Sequence, residues 1–308
     1  MPESSEPKGI QVTYSEAFPN ILTAVDKVDR PGSYLASGGC ETPIPSIRIA
    51  GGEPLSFPVP VAQAKALMKS GEKAPYGRGE ETLLDESVRR VWQVSPKQVK
   101  ITGKGWANTF RQIVTDVAHG LGCDDGSVTA EFYKLLVYEK GGFFKAHRDS
   151  EKADGMFGTL IVVLPSAHKG GELTVRHAGR EAVVDLSGAA PSEVKWASFY
   201  ADCEHEVAPI RSGYRICLVY NLVRRSSASN AVPDNRPAAG KLAAALVDWR
   251  KRYGRENVPE KLVYLLEHHY TPAGLTFGNL KNRDDALARA FLAASQDAAC
   301  SIHLGIVH

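Results

Sequence analysis

The sequence predicts a mainly β fold with flanking helices, and two observations carry that expectation. Between residues 126 and 223, short apolar runs are separated by glycine- and proline-bearing turns with no helical periodicity between them. On either side of this stretch, apolar residues recur at helical spacing. Strands that follow one another without crossover helices pair antiparallel, as a sandwich or barrel.

Residues 1–17 are polar and are expected to be disordered. A helix is expected over 18–28 and a second over 61–68, with a strand at 46–50 inside the glycine- and proline-punctuated stretch 32–60. Residues 74–82, rich in glycine, read as a loop, and 89–94 and 99–102 alternate as strands do. Apolar residues at 106, 110, 113, 114, 117 and 121 share one helical face, which ends at Gly122. These elements form an expected N-terminal α/β region, 18–125, packing on a core domain, 126–223. Strands are expected there at 132–138, 159–164, 172–175, 181–186, 194–200 and 214–222. Residues 224–238 are polar and turn-rich and read as a linker. Residues 239–308 read as mostly helical, at 240–253 and 284–299, with 261–266 open between strand and helix. The run 302–308 is strand-like, and so abrupt an apolar end leaves open that the chain is a fragment.

The 308 residues suffice for at least one sizeable core. Charges nearly cancel, at +2, and basic residues are scattered, which disfavours a bulk electrostatic grip on nucleic acid or an anionic membrane. No apolar run approaches membrane-spanning length, and the first residues lack the apolar segment of a signal peptide. The five cysteines show no zinc-site or redox-motif spacing, so a reducing, cytoplasmic setting is expected.

The chemistry concentrates at Tyr138-Glu-Lys-Gly-Gly-Phe-Phe-Lys-Ala-His-Arg-Asp149. His147 and Asp149 are two residues apart, so an extended chain puts both on one face, just past a strand. A second histidine, His205, follows the strand at 194–200. Two imidazoles and one carboxylate make the facial triad of non-haem iron(II) oxygenases, leaving three octahedral positions open. His-x-Asp alone is a weak signal, and the distal context sharpens it. Arg215 lies within an otherwise apolar strand that offers it no acidic partner. A buried guanidinium is costly unless paired, and a bound dicarboxylate would pair it in two-pronged fashion.

This arrangement resembles the prolyl 4-hydroxylase-like branch of the 2-oxoglutarate/iron(II)-dependent dioxygenases, over about residues 131–222. The resemblance rests on Tyr138…Gly141-Gly142…His147-Arg-Asp149, on Gly170-Gly-Glu172, and on His205-Glu-Val-Ala-Pro-Ile-Arg-Ser-Gly-Tyr-Arg215. It implies a double-stranded β-helix, or jelly roll, core. It also implies Fe(2+) on His147, Asp149 and His205, and 2-oxoglutarate with its far carboxylate on Arg215. Collagen-type members carry lysine at the Arg215 position. Many members have a cosubstrate-binding tyrosine where this chain has Phe144, and Tyr138 and Thr159 are the candidates to replace that contact. Dioxygen as cosubstrate, ascorbate dependence, and hydroxylation of a peptidyl or small-molecule C–H bond with release of succinate and CO2 are further implications.

Other readings stand beside this one. A cupin-like metal-binding jelly roll would keep the metal without oxygenase activity. An oxidative demethylase or a degenerate scaffold is disfavoured by the charge balance and by the complete ligand set. In the loop at 74–82, Tyr76 and Arg78 are substrate-loop candidates. His168 and His177 fall near turns and read as solvated. The pair His268-His269 shows no third ligand in its neighbourhood, and His119 falls on a helix.

Overall fold

The computed structural model describes residues 19–78, 81–124, 126–150, 155–188, 190–224, 233–252, 261–272 and 274–306. Its helices are α1 (Pro19–Asp26), α2 (Val61–Ser70), α3 (Lys104–Leu121), α4 (Arg236–Arg252) and α5 (Asn282–Ala298). The strands up to α3 are β1 (Leu35–Glu41), β2 (Ser46–Ile49), β3 (Glu72–Lys73), β4 (Tyr76–Arg78), β5 (Glu81–Leu83), β6 (Trp92–Val94) and β7 (Val99–Thr102). After α3 come β8 (Val128–Tyr138), β9 (Phe144–His147), β10 (Met156–Val163), β11 (His168–Gly170) and β12 (Leu173–His177). The series ends with β13 (Arg180–Val184), β14 (Glu193–Tyr200), β15 (Glu204–Val207), β16 (Ile210–Gly213) and β17 (Arg215–Arg224).

The described chain divides into two compact units. The larger comprises residues 30–233 and 266–285 with the last three residues, and the smaller comprises 1–29, 234–265 and 286–305. In the larger unit a seven-stranded sheet runs β1-β14-β10-β17-β8-β6-β3, and a four-stranded sheet runs β13-β12-β15-β9. All pairings are antiparallel. From β8 to β10 and again from β13 to β15 the chain passes back and forth between the two sheets, while β12 and β13 form a hairpin within the smaller one and β11 pairs with β16 as a separate two-stranded ladder. That alternation is the double-stranded β-helix. Its interior is a continuous cluster that includes Leu135, Leu160, Val162, Leu173, Phe199 and Leu218. β10 is buried along its whole length, which accounts for its unbroken apolar sequence.

Two departures from the sequence reading have clear causes. β1 lacks any apolar alternation, yet it forms the edge of the large sheet, paired in register with β14. A Cβ on Gly38 would fall 2.7 Å from the Trp196 ring, so the glycine admits the indole and hides the strand's pattern. Within 74–82, read as a loop, β4 (Tyr76–Arg78) pairs antiparallel with β5 (Glu81–Leu83). The C-terminal run differs as well. Residues 301–306 adopt neither strand nor helix, and 261–266 form neither. The disordered-terminus expectation and most of the linker lie outside the described residues.

In the smaller unit, α1, α4 and the body of α5 bury Ile21, Val25, Leu242, Leu246, Leu287, Ala290 and Ala294 in a core of their own. Alanines make up much of the buried face of both long helices, and Arg250 caps the end of α5 through the Ala298 carbonyl. Among the described residues, no helix is long and apolar enough to cross a membrane.

Candidate metal centre and cavity

Gly141-Gly142 makes the turn from β8 into β9. Gly141 takes a left-handed conformation, and a Cβ on Gly142 would press to 2.9 Å on the Arg90 and Glu139 carbonyl oxygens. The turn is locked by Gly141 N donating to Ile210 O and Ile210 N donating to Gly142 O. β9 then pairs with β15 so that His147 and His205 are directly opposed. Their ring centroids lie 4.1 Å apart. Asp149, just beyond β9, is fixed by its N–H on the Ala201 carbonyl.

Asp149 places Oδ1 3.9 Å from His147 Nε2 and Oδ2 3.8 Å from His205 Nε2. The three donors lie within 4.8 Å of one another. Each imidazole engages a carbonyl two residues upstream through Nδ1: His147 with Lys145 O at 2.8 Å, and His205 with Cys203 O at 3.2 Å. A Nδ1–H held this way leaves the Nε2 lone pair facing the common point. Burial, then the neighbouring His205, push His147 down to about 3, so its ring is neutral and open to a metal at ordinary pH. Burial alone would raise Asp149. The two histidines and a hydrogen bond from Thr159 outweigh it and hold the carboxyl below its usual range. Two imidazole nitrogens and one carboxylate converging on one point fit a divalent first-row metal.

The triad opens into a cavity of about 370 Å³, whose walls include Tyr76, Arg89, Tyr133, Tyr138, Thr159 and Asn221. That size falls in the range of roughly 300–1,000 Å³ typical of small-molecule sites. Thr159 donates to Asp149 Oδ2 at 2.6 Å. Tyr138 is buried and its hydroxyl is pushed up to about 12, mainly by desolvation. Tyr76 lines the cavity from β4. Arg78 ends that strand, opposite Glu81.

Arg215 is 1% exposed and stands opposite Tyr138 in the β8–β17 ladder. Its Cζ lies 5.4 Å from the Tyr138 ring, and Nη1 donates to Gly171 O at 2.8 Å. Nε has no partner, and no carboxylate among the described residues comes within ion-pair distance. Arg215 does not itself line the cavity. Its ladder partner Tyr138 does.

The sequence reading did not find the turn Ala201-Asp202-Cys203, which serves both ligand-bearing strands. Three successive carbonyls receive Asp149 N–H, Arg148 Nε–H and His205 Nδ1–H. The Asp202 carboxylate beneath them gathers His268 Nδ1 at 3.1 Å, Lys281 Nζ at 3.1 Å, His177 Nε2 at 3.3 Å and the His269 N–H. His168 and His177, expected to be solvated, are buried, and His268 has partners that its sequence neighbourhood did not reveal. His177, Asp202 and His268 are also close enough to hold a metal. The Lys281 ammonium on the same carboxylate, however, already neutralises it and opposes a second cation there.

Residues 133–223 match the 2OG-Fe(II) oxygenase superfamily. The match spans β8 to β17 and contains all three ligand candidates and Arg215. No curated protein matches the chain in sequence. Among solved structures, the chain is similar to a Pseudomonas putida prolyl-4-hydroxylase at 17% identity, covering 67% of this chain and 99% of that one, with a TM-score of 0.36. A Trichoplax adhaerens prolyl hydroxylase, solved with a hypoxia inducible factor peptide fragment, is 15% identical over 67% of this chain and 90% of that one, with a TM-score of 0.38. A viral collagen prolyl hydroxylase from Paramecium Bursaria Chlorella virus-1 is 13% identical over 63% and 98%, with a TM-score of 0.32.

Proposed function

We propose that the chain is an Fe(II)- and 2-oxoglutarate-dependent dioxygenase that hydroxylates a C–H bond of a peptidyl or small-molecule substrate, releasing succinate and CO2. The convergence of His147 Nε2, Asp149 and His205 Nε2 on one point of the cavity carries this reading. The superfamily match over the same segment supports it. Bound iron(II) supplies the redox chemistry that couples oxidative decarboxylation of the cosubstrate to hydroxylation, with ascorbate as a reductant that sustains turnover.

The chain's own groups have distinct tasks. The Lys145 and Cys203 carbonyls fix the imidazole rings, and Thr159 orients the Asp149 carboxylate. Arg215 holds the far carboxylate of 2-oxoglutarate. Its partnerless Nε and the lack of a carboxylate beside it among the described residues leave its charge for a ligand. Tyr138, the cavity-lining neighbour of Arg215, donates its hydroxyl to the same carboxylate and stays protonated throughout the physiological range. The five unpaired cysteines suit a reducing, cytoplasmic compartment.

The test is an anaerobic titration with iron(II) and then 2-oxoglutarate, followed by visible absorption. A charge-transfer band that disappears in both His147→Ala and Arg215→Ala is the expected result. Iron binding without a band favours a cupin-like metal-binding module, and no iron binding removes the triad assignment.

A further inference from the structure

Arg89 is the second buried guanidinium of the site. It is 7% exposed and lines the cavity beside the ligand triad. An isolated bridge to Phe144 brings it there, flanked by Arg90 N donating to Phe143 O and Lys145 N donating to Val88 O. Its Cζ stacks 4.3 Å from the Phe144 ring, and the same ring stacks on His147 at 3.5 Å between centroids. Nη1 donates to the Pro75 carbonyl, a neutral acceptor. Nε has no partner, and no carboxylate among the described residues lies within ion-pair distance. Asp149, the acidic group on the cavity wall, is directed at the metal position. Lys134 and Arg148 add two further cations to the same wall.

A desolvated guanidinium facing a cavity without a counter-ion is a strong recognition element for a planar carboxylate. Arg89 is such a group, and Arg215, buried beside the cavity-lining Tyr138, is a second guanidinium without a counter-ion among the described residues. A 2-oxoglutarate chelated through its 2-oxo acid end has one carboxylate left, enough for one guanidinium, which the dioxygenase reading gives to Arg215. Arg89 sits on the wall formed by Pro75, Tyr76 and Gly77, where the β4 hairpin borders the cavity.

We propose that Arg89 is a specificity-determining residue that binds a carboxylate of the prime substrate, so the molecule hydroxylated is itself an acid. This rests on the dioxygenase reading and deepens it. An acid gripped at Arg89 places the carbons next to its carboxylate towards the triad, while an amide or ester of the same skeleton loses the two-pronged contact.

The experiment has a binding arm and a turnover arm. In the first, 2-oxoglutarate is titrated into the Fe(II) protein anaerobically, for wild type, Arg89→Gln, Arg89→Lys and Arg215→Gln. In the second, the free L-amino acids and their N-acetyl forms, each beside its carboxamide, are screened for stimulated succinate release. Acids that stimulate are then measured by calorimetry on the catalytically inert Mn(II)–2-oxoglutarate complex. The expected result is that acids stimulate and amides do not. Arg89→Gln should weaken binding of the acid by about tenfold or more, Arg89→Lys should recover part of it, and Arg215→Gln should instead weaken 2-oxoglutarate. If 2-oxoglutarate depends on Arg89 rather than Arg215, if amides serve as well as acids, or if no acid stimulates, the proposal is overturned while the dioxygenase reading stands. If wild type forms no 2-oxoglutarate band, both fall. Arg89→Lys keeps the charge and the Phe144 stacking, so it covers the case in which the Gln variant does not fold.

Discussion

The Thr159 hydroxyl donates to Asp149 Oδ2 at 2.6 Å, across from the side of the carboxylate that faces His147. It comes from β10, a fully buried strand that has no freedom to follow the ligand if it moves. Thr159→Val keeps the shape and removes the donor. Metal affinity should fall by roughly 10–100-fold, the usual cost of losing a partner that orients a ligand. Competitive titration with Co(II) or Fe(II) reads it, with unchanged circular dichroism as the control.

Asp202→Asn tests the network under the 201–203 turn. It leaves Lys281 buried without its counter-charge and forces a rearrangement among His177, His268 and the His269 N–H. Breaking a buried pair on one side costs about 3–5 kcal/mol, so urea unfolding should shift by an amount of that order. Metal affinity should drop in parallel, because the carbonyls of this turn hold Asp149, Arg148 and His205.

Acid should destabilise the metal-free protein in two stages. Burial lowers His147 and His268 below their ordinary 6.5. The unfolded chain therefore binds protons that the folded chain refuses, and stability is lost as pH falls below 6.5, by about 1.4 kcal/mol per pH unit for each such group. Asp202 is also lowered: burial opposes this, and hydrogen bonds from His177 and His268 outweigh burial. Its contribution is complete above its ordinary 3.8 and is lost below it. Denaturation midpoints from pH 8 to 4 should decline steadily below 6.5. A flat profile down to pH 5 would contradict these assignments.

Gly171→Ala should damage both folding and cosubstrate binding. Gly171 has a φ of +79°, and an added Cβ would meet Ile210 Cδ1 at 2.4 Å. The left-handed backbone alone costs roughly 1–2 kcal/mol for an L-residue. The Gly171 carbonyl also accepts from Arg215, so 2-oxoglutarate affinity should fall more steeply than iron affinity. Paired titrations separate the two.

The cluster of His147, Asp149 and His205 was legible because its signal is local: His-x-Asp past a strand, then a histidine and an in-strand arginine that needs a counter-ion. The fully buried strands were legible because nothing polar interrupts them. Arg89 was not legible. It sits in Val88-Arg-Arg-Val91, where either arginine could be the exposed one, and only the bridge to Phe144 decides that Arg89 turns inward. Asp202 and His268 were hidden for a similar reason, since distant segments of the larger unit bring them together. β1 was hidden in part by Gly38, whose absent side chain makes room for Trp196.

The direct opposition of His147 and His205 has a consequence for assembly. The two residues are far apart in sequence and meet only when β9 and β15 pair in one register. A slip of one residue turns every side chain of a strand to the other face, and the chelate vanishes. An ion bridging these rings would thus be a cross-link that only the correctly zipped ladder accepts.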